Sequence, residues 1–176
     1  MVFLFEMNIF VVQVYTGDEN KFLRFAEKTD FSDQISFYFP KRELMVRKNR
    51  KLVRTTVPVF PGYVFAEAES ISSELFAEIR LLPHFGKFLK DNLNITPLPE
   101  DEKRIIFQLT KYGRTIKKSF VVFDENDKIQ VQDGPLKGLE GLIVKVDRRK
   151  KRAKVRLRLY ENSFLVDFGF DFLDRL

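Results

Sequence analysis

Cysteine and tryptophan are absent from the 176 residues, and histidine occurs once, at His84. Without cysteine there is no disulfide, no thiolate metal site and no thiol nucleophile, a composition that fits a reducing compartment. A single histidine removes histidine-pair catalysis and most transition-metal sites. No glycine-rich phosphate loop precedes a helix, because GPLKG (residues 134–138) lies between strand-like runs, and the carboxylates are scattered. The expectation is a chain with no catalytic residue, no metal and no cofactor. The apolar opening, residues 1–14, is interrupted by Glu6, Asn8 and Gln13 and has no basic leader. It reads as neither a signal peptide nor a spanning helix, so a cytoplasmic, monomeric protein with no membrane partner is expected.

What is abundant is phenylalanine, with 20 residues, and a 44% apolar share, which together argue for a packed core and against disorder. The formal charge of +6 is unevenly placed. One basic cluster holds Lys41, Arg42, Arg47, Lys48, Arg50, Lys51 and Arg54. A second holds Lys145, Arg148, Arg149, Lys150, Lys151, Arg152, Lys154, Arg156 and Arg158. Clustered positive charge suits polyanions, nucleic acid above all, although a solvated turn produces the same pattern.

Hydrophobic periodicity divides the chain. IFVVQVY (residues 9–15) predicts a buried strand, and residues 18–29 a helix with Phe22, Phe25 and Ala26 on one face. Residues 35–39 form a strand, and 42–56 a projecting basic hairpin that turns at Lys48-Asn49-Arg50-Lys51. The run Val57 to Glu67, VPVFPGYVFAE, reads as a buried strand bent at Pro61-Gly62, with its rings serving as core or as contact surface. A helix capped among Ser70, Ser72 and Ser73, a short strand at 85–89 and a helix from Pro99 to about Tyr112 follow. Strands at 128–132, 142–146, 153–159 and 163–168, separated by frequent turns, predict a small β-barrel. The expected organisation is α+β, with helices on a mostly antiparallel sheet over residues 8–113, a connection over 114–125 and the barrel over 126–176.

Specific motifs sharpen this. Residues 127–159, with the DGP turn at Asp133-Gly134-Pro135 and glycines at 134, 138 and 141, resemble a KOW motif; the glycines are expected to turn the chain where side chains would clash. FVVQVYTGDE (10–19), VFPGYVFAE (59–67) and RLLPHFGKFL (80–89), in that order before a KOW barrel, resemble the NusG family of transcription elongation factors. That resemblance implies an N-terminal NGN-type domain and no enzymatic activity. It implies a bacterial RNA polymerase partner, with an apolar pocket of Phe60, Tyr63, Phe65, Phe85 and Phe88 receiving the clamp helices of the largest subunit. The helix start at Ser72 and Ser73 would face the gate loop. The basic hairpin and the HFGKF segment are closer to specialised paralogs such as LoaP and RfaH. These act as processive antiterminators on selected operons by recognising a nascent RNA hairpin or non-template DNA. Arg47, Lys48, Arg50, Lys51 and Arg54 are the candidates for that contact, with Lys21 and Arg80 beside them. Leu136 stands where the family has an aromatic that docks Rho or the ribosome. Ile9-Phe10 replaces the usual Trp-Tyr of the first strand. The competing readings are a housekeeping NusG and a ribosome-associated, RNA-binding KOW protein. Unlike the barrel of RfaH, this one is expected to stay all-β, because residues 154–159 alternate with period two.

Overall fold

The structure is a computed structural model that describes residues 7–173. The chain divides into two compact units. Among the described residues, one holds residues 7–39 together with Phe60–Lys103; the other holds Pro40–Val59 and residues 104–173.

The first unit is built on a four-stranded sheet in which β1 (Asn8–Val14) lies between β5 (Tyr63–Ala68) and β6 (Phe85–Phe88), and β2 (Ser36–Tyr38) lies outside β5. All three pairings are antiparallel. Helices α1 (Glu19–Ala26) and α2 (Ser73–Ile79) supply Phe22, Ala26, Leu75 and Ile79 to one core. It also holds Phe10, Val12, Val14, Val64, Ala66, Ala68 and Phe88. Alternation explains the choice: on a strand, successive residues point to opposite faces, so Phe10, Val12 and Val14 share one side of β1. Ser72 caps α2, its hydroxyl accepting from the Leu75 amide at 3.1 Å. Helix α3 (Glu100–Thr110) opens with Glu100, Asp101 and Glu102, which suit the positive end of the helix dipole.

The second unit contains the hairpin of β3 (Lys41–Lys48) and β4 (Lys51–Pro58), in unbroken register from Lys41 opposite Pro58 to Lys48 opposite Lys51. A two-residue strand, β7 (Thr115–Ile116), lies parallel to the base of β3. Five more strands form one sheet: β8 (Ser119–Phe123), β9 (Ile129–Asp133), β10 (Ile143–Asp147), β11 (Arg152–Leu159) and β12 (Asn162–Phe172), in the order β10-β11-β12-β8-β9. The sheet is antiparallel except where β12 runs parallel to β8. Edge strand β9 donates from the Val131 amide to Glu140, in the 3-10 turn that leads into β10 at the other edge, so the sheet curls toward a small barrel. Its interior is Val121, Val131, Leu136, Ala153, Val155, Leu157, Leu159, Val166, Phe168 and Phe170, all buried.

Three expectations need correction. The stretch from Val57 to Glu67 is not one bent strand. β4 ends at Pro58, β5 begins at Tyr63, and the Tyr63 amide bonds to the Phe60 carbonyl at 3.1 Å across a four-residue turn. With Pro61 second and Gly62 third at φ +82°, this is the pattern of a type II turn. Segment 114–125, expected to connect two domains, contains β7 and β8. Its apolar run Phe120–Phe123 is a sheet strand, because Val121 fills the barrel interior. The hairpin, expected within an N-terminal domain of residues 8–113, groups with the barrel strands. Within that unit Arg152 donates to the Met45 carbonyl at 3.1 Å, and the backbone of Gly169 lies close to the Glu43 carbonyl.

Candidate nucleic-acid and polymerase-binding surfaces

The hairpin tip is shaped by two consecutive left-handed residues, Asn49 at φ +49° and Arg50 at φ +65°. Two positive φ values in a two-residue loop match the right-handed twist of the strands, which is why such loops favour Asn-Gly. Here an arginine occupies the position glycine fills most easily. Arg47, Lys48, Arg50, Lys51 and Arg54 are all exposed. The register distributes them over both faces: Lys48 and Lys51 share a side with Val46 and Val53, while Arg47 and Arg54 share the other with Met45 and Leu52. Among the described residues, Arg54 alone of the five has an ion-pair partner, Glu43 at 3.9 Å, and an exposed pair at that distance contributes little. The tip is thus cationic on every side and interleaved with exposed Met45, Leu52 and Val53.

Arg42, in the same sequence cluster, does something else. It is half-buried, and its guanidinium donates to the Pro58 carbonyl. Burial pushes its pKa down, opposed by Asp167 and reinforced by Arg152. Lys21 and Arg80 belong to the first unit and are exposed. Lys21 sits 2.6 Å from Asp18, which also meets the His84 Nδ1 at 3.1 Å. The Lys21 hydrogen bond, helped by the Lys21 charge and then by His84, holds the Asp18 carboxyl below its usual value against the opposing effect of desolvation.

The five rings expected to line one polymerase pocket do not come together. Phe65 pairs opposite Val11, and Phe88 opposite Val12. Consecutive residues of β1 point to opposite faces, so these two rings lie on opposite sides of the sheet. Phe60 (1% exposed) and Phe65 (0%) pack together with ring centroids 5.6 Å apart, and Tyr38 stacks on Phe65 at 5.7 Å. Phe88 is buried with Phe85 and Phe76. Of the five, Tyr63 and Phe85 keep partial exposure. Ser72 is occupied as a helix cap, and Ser73 is exposed at the first turn.

The turn glycines also separate. Gly134, at φ +101°, would place a Cβ 2.7 Å from the Ser119 backbone, so it is required. Gly138 needs its φ of +80° but has open space, and Gly141 has neither constraint. Leu136 is 1% exposed, its amide bonded to the Ser119 hydroxyl at 3.0 Å; it fills the barrel interior and offers nothing at the surface.

Sequence reading missed Glu19. It opens α1, where an acid is unremarkable, yet it is 4% exposed. Its carboxylate accepts from the Gly62 amide at 2.7 Å and the Gly17 amide at 3.0 Å. This fixes the Phe60–Tyr63 turn against the end of β1, where the Val14 amide also bonds to the Gly62 carbonyl at 2.8 Å. No local signal separates this acid from a helix-dipole acid.

A protein-family model described as transcription termination factor NusG matches residues 7–107. The chain belongs to the NusG family. The NusG of Streptococcus pyogenes serotype M1, a transcription termination/antitermination protein, is 30% identical over 171 residues, covering 93% of each chain. That of Bacillus subtilis is 28% identical over 179 residues, covering 97% of this chain and 99% of its own. Both alignments extend the NusG likeness beyond the family model through the barrel strands. The solved structure of NusG from Thermotoga maritima shares the fold, with a TM-score of 0.57 at 21% identity over 93% of each chain. The α+β architecture is therefore that of a NusG protein, and the chain is a relative of transcription termination/antitermination factors.

Proposed function

We propose that this NusG-family chain is a processive antiterminator that binds RNA polymerase and grips an RNA or DNA element with its basic hairpin. The observation that carries the reading is the tip itself: five exposed cations, one weakly paired, around a turn that keeps Arg50 in a left-handed conformation. Phosphate contacts of this kind supply affinity, and exposed Leu52 and Met45 add apolar contact to base edges or sugars. Polymerase contact is assigned to the Tyr63 side of the sheet, where that ring remains partly accessible. By bridging the clamp helices and the gate loop the protein would suppress pausing mechanically, without chemistry.

The test is a titration of the full chain with RNA and DNA hairpins across a salt series. Each phosphate contact contributes about −0.9 to the slope of log affinity against log salt. The variant R47Q/K48Q/R50Q/K51Q should flatten the slope by about 3 to 4. A slope unchanged by that variant removes the reading. For the polymerase contact, Tyr63→Ala should weaken binding to RNA polymerase while leaving the unfolding midpoint nearly unchanged; a collapsed fold with binding retained would make Tyr63 a core residue only.

A second reading is a general NusG factor joining polymerase to Rho or the ribosome through the barrel, in keeping with the termination as well as antitermination role named for the Streptococcus and Bacillus relatives. It predicts pull-down of Rho or small ribosomal subunits by the full chain and no preference among hairpin sequences.

A further inference from the structure

A separate row of charge lies on the barrel. Along β11, Ala153, Val155, Leu157 and Leu159 are buried, so Arg152, Lys154, Arg156 and Arg158 all face outward. Alternate residues of a strand are about 6.6 Å apart, so the four cations span about 20 Å in one line. Neutralisation along the line is graded. Lys154 lies opposite Asp167, 3.7 Å away, and Arg152 opposite Asp147. Arg156 and Arg158 instead lie opposite Leu165 and Ser163, and among the described residues neither has an ion-pair partner. Lys145 on β10 lies directly opposite Lys154, a like-charge placement that costs the sheet stability.

The paired end of the row opens on a cavity of about 140 Å³ lined by Lys145, Asp147, Lys150, Arg152, Lys154 and Asp167. Four cations meet two carboxylates there. Arg152, one of the lining residues, also has a buried Nε without a hydrogen-bond partner.

We propose that the outward face of β11 is a second phosphate-binding surface, which takes the backbone of a nucleic-acid strand and does not read its bases. Charge complementarity selects the partner: evenly spaced cations in a straight row match a polymer with one negative charge per repeat. No aromatic ring lies on the row to stack a base, and the exposed apolar side chains beside it are Leu165 (58%) and Val144 (44%). The surface is independent of the hairpin reading, since it involves different strands and unstructured nucleic acid.

The experiment titrates fluorescein-labelled poly(U) and poly(dT), neither of which forms hairpins, into the full chain across a salt series. It uses the wild type, R156Q/R158Q and R156K/R158K, each also in the R47Q/K48Q/R50Q/K51Q background. Both arginines are exposed, so the thermal midpoint should hold in every variant. R156Q/R158Q should lower the salt slope by about 1.4 in both backgrounds, at about 0.7 per single-strand phosphate contact, and R156K/R158K should restore it. Loss on both polymers assigns backbone contact in general, and loss on poly(U) alone assigns RNA. An unchanged slope on both polymers overturns the proposal. So does tighter binding of a poly-glutamate peptide than of either polymer, which would make the face protein-directed.

Discussion

Two turns sit at either end of β4, and they solve the same backbone problem in opposite ways. At the Phe60–Tyr63 turn the left-handed residue is Gly62, and Glu19 bonds to its amide from a buried position. Sequence, geometry and hydrogen bonding agree there, as they do where a segment serves the fold. At the Lys48–Lys51 turn the left-handed pair is Asn49-Arg50, exposed and without such a clamp. An arginine in that conformation costs about 1–2 kcal/mol. The chain retains a charge where glycine would fold more easily, and local rules are broken in this way where a surface serves a partner. The aromatic turn is thus held by buried contacts, while the basic turn keeps an exposed, strained arginine.

The contrast breaks most severely at Gly62. A Cβ there would lie 2.9 Å from the Thr16 hydroxyl and 3.3 Å from the Val14 carbonyl, at a φ that L residues resist. Gly62→Ala should destabilise the protein by about 3 kcal/mol, read as a shift in the urea midpoint. Glu19→Ala, which leaves the Gly62 and Gly17 amides without their acceptor, should cost about 2 kcal/mol in the same assay. Because both act on one turn, the double variant should lose less than the sum. Full additivity would mean that Glu19 does not hold the Gly62 turn.

These positions show what the sequence could and could not reveal. Strands with a clean period were legible: β11, expected at 153–159, runs from Arg152 to Leu159 with every second residue buried, and the hairpin turn falls where Asn49 marked it. A run apolar throughout carries no period, so Val57 to Glu67 looked like one bent strand although its halves pair in different sheets. The same ambiguity placed β8 within an expected connection, although its apolar run Phe120–Phe123 suited packing. For the candidate site, exposed charge was legible because arginine and lysine are rarely buried, and all five tip cations proved exposed. The aromatic pocket was not, because a ring's face depends on register, and Phe65 and Phe88 landed on opposite sides of β1. Glu19 was invisible because its partners, Gly17 and Gly62, are backbone amides, one of them 43 residues away.

At the other turn the sign should reverse. Arg50→Gly relieves the left-handed strain but adds glycine's extra chain entropy in the unfolded state, for a net gain of about 0.5–1 kcal/mol. The same change should reduce the salt slope for hairpin binding by about 1. A variant that is both more stable and a weaker binder is the signature of a turn kept for contact. Greater stability with unchanged binding would move the contact away from the tip.

The smallest effect separates held cations from free ones. Asp171 accepts from Lys118 at 2.7 Å and Lys151 at 2.6 Å, and these two hydrogen bonds hold its carboxyl down from 3.8 to about 2. A depressed carboxylate stabilises the fold above its unfolded value, and that contribution fades as pH falls from about 4 through about 2. All three groups are substantially solvated, so screening reduces the contribution to less than about 1 kcal/mol. Asp171→Asn should therefore lower stability slightly at pH 7, while wild type and variant should converge near pH 2, as read from thermal midpoints across pH. At the tip, where among the described residues Arg47, Lys48, Arg50 and Lys51 have no such carboxylate, neutralising any one of the four should leave the pH profile of stability unchanged and should alter only the salt dependence of binding.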